Sequence, residues 1–210
     1  MDTYDGFWDR IARKYAAQPV DDVPSWEKTL DHIRRYLTVE SHVLEIGGGT
    51  GSSALKLAGD AKDILSSDLS YEMVAIAEEK RAAANEERVR FLQGVAGDPQ
   101  LRRDGGYDAV IALNLLHLLP DPPQSYRAVR EMLKPGAVFL SKSACLKEMN
   151  IFVRMAIPLM KLVGKAPKYV QFFTGAELEQ QLRDSGFEIV ESCRYPTGGT
   201  THFIVARRPN

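Results

Sequence analysis

The sequence predicts an α/β fold, a three-layer α/β/α sandwich built on a mostly parallel sheet. Three observations point to it. Short apolar runs alternate with amphipathic helical segments from about residue 40 to Ala144, the order that a parallel sheet covered on both faces requires. A glycine-rich turn, Gly47-Gly48-Gly49-Thr50-Gly51, stands where the first apolar run gives way to a helix. A chain of 210 residues with 44% hydrophobic content suits one domain, able to bury roughly 70% of the surface its unfolded form exposes.

The elements follow in order. Two N-terminal helices are predicted at about Phe7 to Ala17 and Ser25 to Tyr36. Val43, Leu44 and Ile46 form a short buried strand, and Ser52 to Ala58 has the apolar spacing of a helix packed on it. The second strand, Ile64 to Ser67, ends on Asp68; behind it Ser70 to Ala83 is a helix with Met73, Ile76 and Ala77 near one stripe. A helical segment around Glu148 to Val163 follows the last alternating unit. Thr174-Gly175-Ala176-Glu177 is a capping box opening a further helix that should stop near Gly186. Phe187 to Arg194 and Thr201 to Arg207 are the last two strands.

The glycine turn carries the chemistry. Without Cβ atoms its backbone can approach a ligand closely, and the helix start offers free N–H groups to the ligand's polar parts. The order Glu45-x-Gly47-x-Gly49-x-Gly51 departs from the dinucleotide spacing G-x-G-x-x-G. A phosphate loop needs Lys before Ser or Thr, whereas Ser52 and Ser53 follow Gly51. An acid just before the glycines repels phosphate and suits a ligand bearing an ammonium or sulfonium. S-adenosylmethionine bears both. Asp68, at the tip of the second strand, is placed to accept hydrogen bonds from ribose hydroxyls.

Four blocks in this order resemble the class I, Rossmann-like S-adenosylmethionine-dependent methyltransferases of the small-molecule type. They are Val43 to Gly51, Asp68-Leu69-Ser70, Tyr107 to His117 (YDAVIALNLLH) and Leu133 to Phe139 (LKPGAVF). The resemblance covers about residues 40 to 145 well. It implies a seven-stranded sheet with the last strand antiparallel. It further implies that Glu45 and the backbone of Gly47, Gly48, Gly49 and Gly51 hold the methionine part of the cofactor. Asp68 would bind the ribose, with Leu69 and Met73 walling the adenosine. The backbone at Ala112 and Leu113 would receive the amino group and line the sulfonium. One departure concerns the adenine amino group: family members commonly place an Asp after a glycine there, whereas Gly94 is followed by Val95 and Ala96, with Asp98 further on. Either Asp98 reaches back or a backbone carbonyl near Val95 and Ala96 does that work.

Methyl transfer from a sulfonium is an in-line displacement, so alignment supplies much of the acceleration and a dedicated base is optional. His117, just past the fourth strand, is the candidate base; the alternative is that its imidazole packs the following helix. Tyr15 on the first helix either touches cofactor or substrate or packs, and Trp8 is expected to pack. His32, His42 and His202 are expected at surface or structural positions. No pair of histidines has metal-ligand spacing, Cys145 and Cys193 form no metal or redox motif, and no metal is predicted. Asp121-Pro122-Pro123-Gln124 is explained by a loop starting a helix rather than by a base-stacking motif.

With 27 basic and 28 acidic residues, the net charge of −1 creates no global field for nucleic acid. Residues 142 to 170 differ: six basic side chains and one acid give a local +5, interleaved with Met, Ile, Phe and Leu. This stretch is predicted to form a substrate lid, greasy inside and cationic outside. Asn114, His117, Lys142, Phe152 and Met155 are the candidate acceptor contacts. The expected acceptor is an apolar small molecule, anionic or lipid-like, reached through a membrane surface in passing. The alternative is a non-catalytic protein that senses S-adenosylmethionine or S-adenosylhomocysteine and acts through a protein partner. The polar start Met1 to Arg10 lacks the basic-then-apolar pattern of a leader, and the apolar run Ile151 to Val163 is too short to span a bilayer, which predicts a cytoplasmic protein without a transmembrane segment. The expected organisation is a single domain: helices over the cofactor (1–40), a cofactor-binding core (41–144), a lid (145–172), then a helix and strand pair (173–210).

Overall fold

The computed structural model describes residues 6–19 and 22–210; the first five residues of the polar start lie outside the described residues, as do positions 20 and 21. The strands are β1 (His42–Ile46), β2 (Asp63–Asp68), β3 (Val89–Gln93), β4 (Tyr107–Leu113), β5 (Leu133–Ala144), β6 (Glu188–Arg194) and β7 (Thr201–Arg207). They form one sheet in the order β3-β2-β1-β4-β5-β7-β6. β7 runs antiparallel to both β5 and β6, while the other six strands point the same way. β1 and β4 are neighbours, and from this pair the chain winds outward in opposite directions. Such a reversal opens a crevice at the carboxyl ends of the strands, the place where open α/β sheets bind ligands.

Side chains alternate across each strand, so β1 feeds two cores. Leu44 and Ile46 pack with Tyr126 and Val129 of α5 (Pro122–Met132) and with Leu178 and Leu182 of α7 (Gly175–Asp184). Val43 faces the other side, with Leu30 and Ile33 of α2 (Val23–Arg34), Leu57 of α3 (Ser52–Leu57) and Ala77 of α4 (Tyr71–Ala83). Burial on both faces is why the central strands are almost uninterrupted apolar runs. Glu45 is the exception in β1, and it shares the Val43 face.

α1 (Phe7–Ala16) lies against α4, with Ala12 packed on Met73 and Ile76 and flanked by Trp8 and Ala16. Polar contacts fix its angle. Asp9 Oδ1 accepts from the Ser70 hydroxyl at 2.5 Å and from the Glu72 N–H at 3.1 Å, and Arg13 forks onto Glu79 with both bonds at 2.7 Å.

Helix starts follow their caps. Asp22 accepts from the Ser25 N–H with Pro24 in the first turn, which opens α2 two residues earlier than the apolar spacing predicts. Ser70 caps α4, Asp121 caps α5 with Pro122 next to it, and Thr174 with Glu177 completes a reciprocal box at α7. β5 begins directly after α5. A register shift opposite Tyr107 and Ala109 absorbs Pro135 and Gly136, which could not sit in a regular central strand. α6 (Ile151–Leu162) forms as predicted, yet none of its residues is buried. Among the described residues no helix is long and apolar enough to cross a membrane.

Candidate active site

A cavity of about 750 Å³ opens at the carboxyl ends of β1 and β4, within the range of small-molecule sites. Its floor is the glycine turn. Gly47 and Gly49 take φ of +67° and +55°, a conformation that costs other residues strain. Gly48 is required for a different reason: a Cβ there would stand 2.5 Å from Glu45 Oε2 and collide with the Ser66 hydroxyl. At Gly49 the Cβ direction is open space, so the backbone is bare toward the cavity.

Glu45 is buried beneath this turn. Ser66, its register partner on β2, donates to Oε2 at 2.5 Å. Burial pushes the Glu45 carboxyl up from 4.5 to about 7, with the Ser66 bond opposing the rise and the Asp68 charge adding to it. Asp68 Oδ2 accepts from the Gly49 N–H and Oδ1 from the Ser70 N–H, both at 2.9 Å. Each oxygen keeps a lone pair for a ligand hydroxyl. Burial raises this carboxyl as well, against those two backbone bonds.

Leu69, Met73, Val95 and Ala96 continue the wall next to Asp68, with Gly94 beside them. Asp98 does not reach the cavity; its Oδ2 accepts from the Val95 N–H at 2.9 Å and pins that loop. Across the crevice, β4 presents Leu113 and then Asn114 at φ +56°. The Asn114 N–H donates to the Lys142 carbonyl at 2.6 Å, which holds this left-handed residue at the strand end. Tyr15 and Trp8 cover one side, their rings edge to face at 6.4 Å.

Two lysines line the cavity without a carboxylate in ion-pair contact among the described residues. Lys80 of α4 donates to Thr50 Oγ1 at 2.8 Å and Ser52 Oγ at 3.2 Å, and burial lowers its pKa. It was not among the sequence candidates, although it extends the Met73 and Ala77 stripe by one helical turn. Lys142, near the end of β5, donates to Thr29 Oγ1 at 2.9 Å and to Ser25 Oγ at 3.3 Å.

Tyr195 completes that side. His32 is buried under it: Nδ1 meets the Tyr195 hydroxyl at 2.8 Å, and Nε2 meets Glu191 Oε2 at 2.9 Å. Tyr36 donates to the same carboxylate oxygen at 2.9 Å. Burial alone would raise Glu191, but the bonds from His32 and Tyr36 outweigh it and carry its carboxyl below the usual range. An ionised Glu191 accepts from Nε2–H, and in the neutral imidazole the Tyr195 hydroxyl donates to Nδ1.

Five sequence candidates fall elsewhere. His117 lies in a 3-10 turn, Leu116–Leu118, off the cavity wall. Its Nδ1 is buried without a partner among the described residues, and burial drops the imidazole to about 4, so it is neutral and a feeble base. Ala112 is fully buried with its side chain in the core and is not on the cavity wall. Gly51 is not on the wall, and a Cβ there would strike the Phe91 ring. Phe152 and Met155 on α6 are 77% and 63% exposed and do not line the cavity; Pro167, Lys168 and Tyr169, beyond α6, do.

Among the described residues two groups of side chains have metal-ligand chemistry, His32 with Glu191 and Cys193, and Cys145 with Glu148 and His202. In the first both imidazole nitrogens are engaged, and in the second Arg194 already sits 2.8 Å from Glu148 Oε2.

Residues 44–139 match the family model described as a methyltransferase domain, the same span that holds the glycine turn, Glu45 and Asp68. That segment, just under half of the chain, is similar to a methyltransferase domain. Similar proteins include the ubiquinone biosynthesis O-methyltransferase of Leptothrix cholodnii, 26% identical over 154 residues that cover 70% of this chain and 64% of that one. The match thus spans under two thirds of that relative's length. Among solved structures, DhpI in complex with SAH superposes with a TM-score of 0.74 at 22% identity, over 97% of this chain and 94% of DhpI. A SAM-dependent methyltransferase from Aquifex aeolicus gives 0.71 at 18% identity, over 96% of this chain and 98% of that one. At these identities the two structures speak to the methyltransferase fold.

Proposed function

We propose that this chain transfers the methyl group of S-adenosylmethionine to a lipophilic small molecule. The residues fit the cofactor: the Gly49 backbone is bare, Glu45 is a buried acid without a cationic partner among the described residues, and Lys80 is a cation without an anionic one. Bound there, the cofactor supplies an electrophilic methyl on a sulfonium whose leaving group is a neutral thioether. Glu45 holds its ammonium through the turn, Lys80 its carboxylate, and Asp68 its ribose. Leu69 and Met73 flank the adenine, whose amino group falls to the backbone near Val95 and Ala96, because the Asp98 carboxylate is tied down. Leu113 and Asn114 face the methyl side.

Holding nucleophile and methyl in line supplies on the order of 7–11 kcal/mol at best. No imidazole lines the cavity among the described residues, which favours an acceptor that arrives deprotonated or passes its proton to water. The ubiquinone biosynthesis O-methyltransferases among the relatives lend the lipophilic class. α6 supports it, being apolar and exposed, with Arg154 and Lys161 on it and Lys165 and Lys168 just beyond, a composition that suits brief contact with an anionic membrane surface.

The single observation that carries the reading is the cavity joining Glu45 and Asp68 at one end to Lys142 and Tyr195 at the other. Calorimetric titration with S-adenosylmethionine and S-adenosylhomocysteine tests the first half, and turnover on lipophilic phenols, amines and carboxylates tests the second. No affinity for either nucleoside sinks the proposal, and binding without turnover across the panel turns it toward a cofactor-sensing protein.

A further inference from the structure

Lys142 occupies an unusual position for a cation. It lies two residues before the end of β5, directly across the sheet from Leu113, the last residue of β4 and part of the cavity wall. Its ammonium is partly buried, and burial lowers its pKa while Asp22 acts the other way from beyond ion-pair distance. Among the described residues its direct contacts are neutral: the Ser25 and Thr29 hydroxyls, and the Tyr195 ring with its centroid 5.9 Å from Nζ. Asp22 spends its Oδ1 on the Ser25 N–H at the start of α2.

This surround is built rather than incidental. α2 brings Ser25 and Thr29, and one turn further along the same helix His32 fixes the Tyr195 hydroxyl. Thr29 in turn donates to the Ser25 carbonyl at 2.7 Å, so its oxygen is left as an acceptor for the lysine. The Tyr195 ring also packs edge to face on Phe203, centroids 6.1 Å apart. A half-buried charge is expensive without a counter-charge, and packing alone would be served by leucine or methionine at this position. An ammonium has three donors, of which two go to the hydroxyls.

Resting on the methyl-transfer reading, we infer that Lys142 anchors an anionic oxygen group of the acceptor, a carboxylate or a phosphate monoester, beside the methyl end of the cavity. Ser25, Thr29 and Tyr195 present the ammonium, and His32 with Glu191 holds Tyr195 in place as positioning residues. The acceptor is thereby an amphiphile with its charged end inside and its apolar body toward the mouth at Pro167 and Tyr169.

Matched probes test this. The full chain loaded with S-adenosylhomocysteine is titrated with octanoate against octanamide, 4-hydroxybenzoate against 4-hydroxybenzamide, and octyl phosphate against octanol. At least one charged member is expected to bind about tenfold tighter than its neutral partner, the strength of a hydrogen bond to a charged group. The carboxylate and phosphate arms tell the two chemistries apart. Lys142→Met is expected to erase the charged preference while leaving S-adenosylhomocysteine affinity within about twofold, and Lys142→Arg to retain part of it. His32→Asn is expected to weaken the preference by loosening Tyr195. Absence of a charged preference in all three pairs, or its survival in Lys142→Met, overturns the inference. The same pairs titrated without nucleoside keep the test independent of the cofactor: if the nucleoside fails to bind but the charged preference and its loss in Lys142→Met persist, only the methyl-transfer reading falls.

Discussion

The Ser66 hydroxyl donates to Glu45 Oε2 at 2.5 Å, from the register-matched position on the neighbouring strand. Among the described residues that bond is the one polar contact of a carboxylate that burial has lifted to about 7. The free protein therefore holds Glu45 close to half protonated at neutral pH, whereas a ligand ammonium needs it ionised. Affinity for S-adenosylhomocysteine is expected to fall about tenfold from pH 8 to pH 6, since the ionised fraction falls by that factor. Calorimetry in buffers of different ionisation enthalpy should show proton release on binding near pH 7. A flat profile would contradict the placement of the ammonium.

The same group gives a stability prediction of opposite sense. A carboxyl whose folded value lies above its unfolded one adds stability below the unfolded value and loses it as pH rises through the folded one. At pH 8 without ligand, the ionised Glu45 is a burden of up to about 3 kcal/mol, each pKa unit being worth about 1.4. Glu45→Gln is expected to melt higher than the parent at pH 8 while binding the nucleoside far more weakly.

Neighbouring glycines should separate folding from binding. Gly48→Ala forces a methyl into Glu45 and Ser66, so loss of both melting temperature and affinity is expected. Gly49→Ala meets open space and pays only for its positive φ, roughly 1 kcal/mol, yet its methyl enters the cavity. Thermal melts should show Gly49→Ala nearly as stable as the parent, with nucleoside affinity sharply reduced.

Lys80→Met is expected to weaken S-adenosylhomocysteine binding by about 1.5–3 kcal/mol, the usual worth of a hydrogen bond to a charged group. The melting temperature of the free chain should hold or rise, because the lysine's partners are only hydroxyls. An analogue lacking the carboxylate should bind parent and variant equally well.

On α6 and just beyond it, reversing charge at Lys161, Lys165 and Lys168 should abolish flotation with phosphatidylglycerol vesicles while nucleoside binding stays intact. Unchanged flotation would remove the membrane from the account.

The fold was legible because burial on two faces writes itself into the sequence. Apolar runs at Val43 to Ile46, broken only by Glu45, and at Val110 to Leu113 mark central strands, and caps such as Asp121 and Thr174 mark the helices between them. The glycine turn could be read since Glu45-Gly47-Gly49 is a local pattern with a local geometry. Direction of single side chains was not. A 3-10 turn swings His117 off the cavity, and nothing in LNLLHLL distinguishes that from the opposite orientation. The apolar content of α6 was plain, but with large apolar residues around much of its surface no period says which side meets a neighbour. Lys80 had a signal, a charge sitting on a stripe of buried positions. His32 and Tyr195 had none, because they meet across 163 residues of chain.

That long reach sets an order on assembly. During synthesis the nucleoside cradle, complete by about residue 113, emerges well before Tyr195 can swing home onto the helix that carries His32. A nascent chain halted after β5 would thus own a cofactor crib with one side missing, and only docking of the final hairpin would turn an open ledge into a chamber.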